Sequence, residues 1–505
     1  MNYNAILKNG RTVLNHEGEV AYVMTPEMEL YTAVVTASLS DKFYESCDSL
    51  VGRIPELVPQ VSPEFVAELA IYTRREMNLR SVPLLLLVEL AKCHNGDNLV
   101  SRAVAATVMR ADEISELLAC YQWRNPSSGI KKLGKLSRQI QDGLKIAFNK
   151  FNEYQFAKYD RDGEVTLKDA LFLVHPKADS AQKQEIFDKI VADKLEIPYT
   201  WETQLSALGQ KNFGSPEEKN LAKKALWEEL LDSGKLGYMA LLRNLRNILE
   251  SGVSGRHIES LCKRLADPVQ VKASKQLPFR FLAAYKEMLA LDNMYRQCVM
   301  DALEEAVKAS AQGIKGFDIG TKVLLACDVS GSMFSPVSQR SRIVNAEIGI
   351  LLASMLRIKS RCVLSGIFGD VWKTVLASTA PVLENTVGVR NMANRVGYST
   401  NGYRVIDWLI DRDVRMDKVI FFTDCQLWNS NYGDGNIRVS WAKYKAKYPE
   451  AKLYIFDLAG YGQSPLDLSQ KDVYLIAGWN EKVFDVLDAV ENGADVLSLI
   501  KNIPL

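Results

Sequence analysis

The run Lys322-Val323-Leu324-Leu325-Ala326-Cys327 leads directly into Asp328-Val329-Ser330-Gly331-Ser332. A short apolar run closed by a Gly-containing loop reads as a buried strand, and here it delivers an aspartate and two hydroxyls to the strand's carboxyl end. A second run, Lys418-Val419-Ile420-Phe421-Phe422-Thr423, ends likewise in Asp424, and the turn Ser399-Thr400-Asn401-Gly402 lies between the two. Cys362 to Phe368, Lys452 to Phe456 and Val473 to Ile476 are further strand candidates, separated by helical patterns such as Arg342 to Leu356. Strands alternating with helices imply a parallel sheet covered on both faces. This half of the chain is α/β.

In open parallel sheets ligands collect beyond the carboxyl ends of the strands, so the three segments can converge there. A small hard cation takes oxygen ligands, and the set Asp328, Ser330, Ser332, Thr400 and Asp424 offers carboxylates for charge and hydroxyls that leave the ion electrophilic. An Asp-x-Ser-x-Ser string alone also fits a turn or a helix N-cap; the convergence of three strand-end segments is what argues for a cation. Oxygen ligands suit Mg2+, Mn2+ and Ca2+ alike, and the expectation is a divalent cation, Mg2+ first. On these residues the segment from Phe317 to Leu505 resembles a von Willebrand factor A domain, and the resemblance implies a metal-ion-dependent adhesion site built from those five side chains. Relatives often carry Asp where Asn401 stands.

Lys and Arg total 62 against 61 Asp and Glu, so net charge says nothing about nucleic acid and only local clustering can. The eight cysteines show no C-x-x-C pair or framework spacing, and the four histidines never fall at i, i+4, which excludes a zinc-protease helix. The longest fully apolar run, Val82 to Val88, includes a proline and is far short of the ~18 residues of a membrane span. The N-terminus lacks the basic-then-apolar order of a signal peptide. The expected setting is cytoplasmic, with reduced thiols and no membrane.

Before Phe317 the chain shows almost no strand-like alternation. Helical stretches broken by Pro, Gly or Asn follow one another, among them Pro63 to Met77, Ser81 to Cys93, Ala181 to Leu195 and Glu217 to Leu231, and such stretches suggest stacked helical hairpins without a strict repeat. From Leu133 to Phe151 an apolar stripe is flanked by a basic one, Lys131, Lys135, Arg138 and Lys145, interrupted by Asp142. Between Arg124 and Lys150 stand seven Lys or Arg, Lys132 among them, and one acidic residue. A solvated helix face is the plainer reading; a phosphate-binding track is the functional one, since cationic faces bind nucleic acid by counterion release. The segment Lys158 to Thr166 invites comparison with a calcium loop, but registering Gly163 at the sixth position puts Lys158 at the first and Asp169 at the twelfth, where Asp and Glu are required. A capping box from Thr166 to Asp169 explains it better.

Lys158-Tyr159, followed by Lys168-Asp169-Ala170-Leu171-Phe172-Leu173-Val174-His175-Pro176-Lys177, is similar to the K-Y…K-D-x-L-x-L-x-H-x-K pattern of TROVE-domain proteins, the Ro autoantigen family. Ala240-Leu241-Leu242-Arg243-Asn244-Leu245 resembles the family's A-L-L-R-N-L, and Leu277-Pro278-Phe279 its H-P-F. The resemblance implies a monomeric ring of HEAT-like helical repeats over residues 1–316, closed by the A-like domain over 317–505. It implies small noncoding Y-like RNA on a basic outer surface and single-stranded ends of misfolded RNA in a central cavity. Lys158 and His175 fall on family positions associated with RNA contact, with Lys168 and Lys177 beside them; Asp162 departs from a basic family position, and Arg161 next to it can substitute. For Arg243 a buried arginine satisfying helix carbonyls is the preferred reading. An exoribonuclease or an acidic protein side chain is the candidate occupant of the metal site. No motif supports catalysis, and an RNA-binding, quality-control ribonucleoprotein component is the leading expectation. The alternative is a metal-dependent protein-interaction scaffold without RNA that assists an ATPase or other assembly.

Overall fold

The computed structural model describes residues 12–37, 47–125, 136–160, 163–312, 314, 320–338, 341–360, 362–375, 381–427, 435–479, 482–493 and 496–505. The chain forms two compact units, one of Met1–Val51 with Phe213–Val496, the other of Gly52–Asn212 with Leu497–Leu505. Helical and α/β segments meet near residue 320, yet the units do not follow that division, because the first strands and the helices from Pro216 to Ala311 belong with the sheet.

The Gly52–Asn212 unit is a stack of helix pairs. Pro63–Arg75 packs on Ser81–Cys93 and on Leu99–Thr107, Ser81–Cys93 on Asp112–Arg124, and Leu99–Thr107 on Arg138–Phe148. Each helix thus meets the next but one, as stacked hairpins do. Local sequence starts these helices cleanly: Ser62 accepts a hydrogen bond from the Phe65 amide with Pro63 in the first turn, and Thr166 with Asp169 makes the expected capping box. Gly143 is required where two helices touch, since a Cβ there would lie 2.6 Å from the Ser101 carbonyl and from Val104. At the centre of the stack Glu113 is wholly buried, 2.7 Å from Arg74 and accepting from the Met109 and Arg110 amides.

Among the described residues the other unit has nine strands in two sheets: β1 (Thr12–Leu14), β2 (Val20–Val23), β3 (Lys322–Asp328), β4 (Cys362–Phe368), β5 (Trp372–Val375), β6 (Lys418–Thr423), β7 (Lys452–Asp457), β8 (Gln463–Ser464) and β9 (Val473–Ala477). The larger sheet has the order β5-β4-β3-β6-β7-β9 and the smaller β1-β2-β8. In the larger, every pairing is parallel except β4 with β5. The five strands read from the sequence are all present, and the near-continuous apolar runs of β3, β6 and β7 are explained by burial on both faces. Helix Asn345–Arg357 lies against β3 and β6, its Gly349 facing Phe422. The carboxylate of Glu304 accepts from the Leu383 and Glu384 amides and so caps helix Val382–Arg390.

Three features depart from the sequence reading. The hairpin of β1 and β2 is missed because its strands are three and four residues long, the first of them exposed throughout, too short for alternation to register. The antiparallel edge strand β5 is equally short. Arg243 is exposed, at the break between helices Tyr238–Arg243 and Leu245–Glu250, so it is not the buried arginine expected.

Replacing Glu113 with Ala should leave Arg74 buried without its partner and cost about 3–5 kcal/mol of stability. Urea unfolding followed by circular dichroism measures this; a loss below about 1 kcal/mol would show that the pair does not hold the helix stack.

Candidate functional site

Because β3, β4, β6 and β7 run parallel, their carboxyl ends share one edge of the sheet. Asp328 ends β3 at 0% exposure, and Asp424 follows β6 at 1%. Asp328 Oδ1 accepts from the Ser330 amide at 2.8 Å, and its Oδ2 from the Thr423 hydroxyl at 2.7 Å. The Ser330 and Ser332 hydroxyls are 3.4 Å apart. Asp424 Oδ1 accepts from the Gln426 amide at 3.1 Å.

The third segment is brought in by backbone contacts. The Gly331 amide donates to Tyr398 O, and the Asn401 amide to Gly369 O, tying the 398–401 turn to the ends of β3 and β4. Gly369 is needed there, since a Cβ would sit 2.1 Å from Gly397 O. Ser330, Ser332 and Thr400 are buried, as the two aspartates are; Ser330 and Ser332 follow Asp328 directly, the Ser332 hydroxyl bonds Asp424, and Thr400 sits in the turn that those backbone bonds tie to the strand ends. Sequence reasoning missed Thr423 and Gln426, which orient the two carboxylates; Thr423 immediately precedes Asp424, and the only signal was that adjacency.

The electrostatics of the cluster favour a positive guest. Burial, and then the charge of Asp424, push Asp328 up to about 7. Burial also raises Asp424, against the lowering effect of the Ser332 hydroxyl and Gln426 amide, and the Glu17 carboxylate adds to the rise. Thr400 Oγ1, Asn401 Oδ1 and Asp424 Oδ2 are buried without a well-formed hydrogen bond. Buried polar atoms are normally paired. Oxygen atoms left over beside two carboxylates are the donor set a hard divalent cation takes, so the residues present fit such an ion. Among the described residues no three His, Cys, Asp or Glu side chains gather into a cluster, so here the hydroxyls of Ser330, Ser332 and Thr400 would complete the set.

The basic residues lie on the helical unit. Lys131, Lys132, Lys135 and Arg161 fall outside the described residues. Arg138 and Lys145 share one carboxylate, Asp142, at 3.8 and 2.8 Å, and the Arg138 side chain is 92% exposed. Lys168 pairs with Asp193 at 2.6 Å. Helix Arg138–Phe148 is joined to the end of helix Leu167–Val174: Gln141 Nε2 donates to Leu173 O, Asn149 Nδ2 to Lys177 O, and the Asp179 amide to Asn149 Oδ1. Residues 138, 141, 145 and 149 lie on one helical face; with Gln141 at Leu173 and Asn149 at Lys177, Lys145 between them stands beside the His175–Lys177 turn, and Arg138 lies a turn beyond Gln141 on the same face. His175 ends its helix in the left-handed region at φ 49° and is exposed, as is Lys177. Phe172, half exposed, stands on the same helical face as Lys168 and His175. Lys158 stands on helix Glu153–Tyr159, its ammonium 5.8 Å above the Tyr154 ring and 5.5 Å above that of Tyr159.

Comparison with known proteins places the chain among relatives. The family model described as "TROVE domain" matches residues 28–193 and 192–315. A mouse protein named Telomerase protein component 1 is 25% identical over 362 residues, which is 57% of this chain and 14% of that protein. Its rat namesake is 41% identical over 103 residues, 20% of this chain and 4% of that protein. The chain therefore spans only a small part of these relatives' length. The crystal structure of the Deinococcus radiodurans Ro (Rsr) protein superposes with a TM-score of 0.61 at 20% identity, covering 93% of this chain and 99% of that one; at that identity the likeness speaks for the fold. With more than half its length matched by the family model, this chain belongs to the TROVE-domain family.

Proposed function

We propose that this protein binds RNA through the helical unit, using the face that carries Arg138, Lys145, Lys158, Lys168, His175 and Lys177. The observation that carries the reading is the juxtaposition of Lys145 with His175 and Lys177 near a half-exposed Phe172, with Arg138 further along the same helical face, within the span matched by the TROVE-domain model. Phosphates bind such cations by counterion release, and an exposed aromatic ring gives a base a stacking surface. Asp142 and Asp193 offset part of the charge. Exposed pairs of this kind contribute only about 0–1 kcal/mol, so a phosphate can compete for the same ammonium and guanidinium groups. The resemblance to the Ro autoantigen family supports a small, folded, Y-like noncoding RNA as the principal ligand, with the ends of misfolded RNA as a second and a role as a ribonucleoprotein component in RNA quality control. A protein-only scaffold has no use for this cationic face.

We also infer that Asp328, Ser330, Ser332, Thr400 and Asp424 hold a divalent cation, Mg2+ by preference. The unpaired Thr400 Oγ1 and Asp424 Oδ2 support this, as does the position of the cluster beyond the carboxyl ends of a parallel sheet. That arrangement also supports reading residues 317–505 as a von Willebrand factor A-like domain. The ion would supply charge compensation and an electrophilic centre; Thr423 and Gln426 hold the carboxylates in place around it.

A folded small RNA should bind with an affinity that falls steeply with salt. Charge reversal at Arg138, Lys158 and Lys177 together should weaken binding about 10- to 100-fold at moderate salt and make the slope of log affinity against log salt shallower by about 2. Filter binding over a salt series decides it: a flat series, or a triple variant that binds like the parent, would overturn the assignment.

Cation binding should depend on pH. Because Asp328 takes up its proton near 7 in the folded chain rather than in the ordinary carboxylate range, the metal-free protein should lose stability as pH rises from about 4 to 7. A cation that displaces this proton should bind up to about tenfold more tightly per pH unit gained below 7. Thermal unfolding with and without Mg2+ at pH 5.5 and 7.5 should show the larger stabilisation at 7.5; equal stabilisation at both would contradict the site.

A further inference from the structure

Two thiols that neither the cationic face nor the cation site uses touch each other. Cys262 on helix Gly255–Ala266 and Cys298 in the first turn of helix Arg296–Ala311 have their sulfurs 3.2 Å apart, the Cys298 thiol donating to Cys262 Sγ. Among the described residues this is the one contact between two cysteines. A disulfide holds its sulfurs at about 2.05 Å, so about 1 Å of closure separates this pair from a bond.

The two thiols sit in unlike surroundings. Cys298 is exposed, whereas Cys262 is 9% exposed. Burial, and then the contact with Cys298, push the Cys262 thiol up. The helices are held together independently of the sulfurs. Ile258 and Leu265 on one and Val299 and Ala302 on the other are buried, and the two helices pack on each other. Just before the second helix, Asn293 Nδ2 donates to Leu249 O at 3.3 Å, and a Cβ on Gly255 would lie 2.8 Å from Tyr295 Oη. Packing thus sets the sulfurs side by side before any bond forms.

We infer that Cys262 and Cys298 form a reversible oxidation site, in which a hydroperoxide oxidises the exposed Cys298 and the buried Cys262 then closes a disulfide between the two helices. An accessible sulfur beside a second thiol is where a sulfenic acid resolves to a disulfide. In the first step the Cys298 sulfur takes a hydroxyl from the peroxide as the O–O bond breaks, and its thiol proton leaves with the other oxygen as water or an alcohol. In the second, Cys262 Sγ attacks the Cys298 sulfur, the S–O bond breaks, and the hydroxyl leaves with the Cys262 proton as water. The two sulfurs together lose the electron pair that the peroxide gains, and a dithiol reverses the bond by exchange. The positions are 36 residues apart, and the bond closes a loop that contains helices Pro268–Ser274 and Pro278–Leu289. It also ties helix Gly255–Ala266 to the helix whose Glu304 caps Val382–Arg390. In a reducing compartment a bond of this kind is transient and serves to sense oxidant.

The test treats the full chain, reduced and then freed of reductant, with hydrogen peroxide near equimolar ratio, and maps its peptides by mass spectrometry without reduction. The parent should lose about two titratable thiols, yield a peptide joining Cys262 to Cys298, and recover both thiols with dithiothreitol. Cys262→Ser should leave a sulfenic acid at Cys298 that dimedone traps, and Cys298→Ser should leave Cys262 unmodified. The same oxidation in urea should scatter links among the cysteines, since folded packing is what selects this pair. A parent whose Cys298 is overoxidised while Cys262 stays free, or whose 262–298 link is no commoner folded than in urea, would overturn the inference. Should either serine variant fail to fold, the two maps of the parent decide it.

Discussion

Two carboxylates buried side by side constrain the α/β unit more than any other feature. Asp328 and Asp424 end adjacent parallel strands at almost no exposure, where a lone ionised carboxylate is costly. The chain meets part of that cost locally, with hydrogen bonds from the Ser330 and Gln426 amides and from the Thr423 hydroxyl. What those bonds leave uncompensated is charge, together with the Thr400 hydroxyl and one Asp424 oxygen, which lack a well-formed hydrogen bond. The loop geometry follows from keeping both groups in place: Gly369 lets the 397–401 turn approach, and the Gly331 amide locks that turn to the end of β3.

Much of this arrangement was legible in the sequence, because burial on both faces writes itself as unbroken apolar runs. Five apolar runs marked the strands and a parallel sheet, and the two ending in Asp328 and Asp424, with the turn at Thr400 between them, pointed to five side chains beyond the strand ends. What stayed hidden is what depends on few residues. A three-residue strand such as Thr12–Leu14 has no periodicity to detect, so the hairpin could not be foreseen. Arg243 was misjudged for a related reason: A-L-L-R-N-L looks like continuous helix, but Asn244 breaks it and leaves the guanidinium outside. In the helical unit, the Thr166 cap and the helix spans were readable from local chemistry. The pairing of Lys168 with Asp193, 25 residues later, was not, since it depends on how two helices meet.

The two units use opposite electrostatic designs. On the sheet edge, acidic groups are buried and fixed, which suits a small ion held at one point. On the helices, basic groups are exposed on long side chains, and their carboxylate partners are few and themselves solvated. Such a face adapts to a phosphate backbone and carries little sequence preference of its own. The rings of Tyr154 and Phe172, each about half exposed, add contacts that a purely charged surface would lack.

The central claim is therefore a division of labour, with RNA on the helical unit and the cation on the sheet edge. Photo-crosslinking of a bound small RNA followed by mass spectrometry of the crosslinked peptides tests it most directly. The account predicts crosslinks within helices Arg138–Phe148, Glu153–Tyr159 and Leu167–Val174 and the turn to Lys177, with Tyr154 and Phe172 prominent. Crosslinks confined to the loops around Ser330, Thr400 and Asp424, with none on those helices, would contradict it.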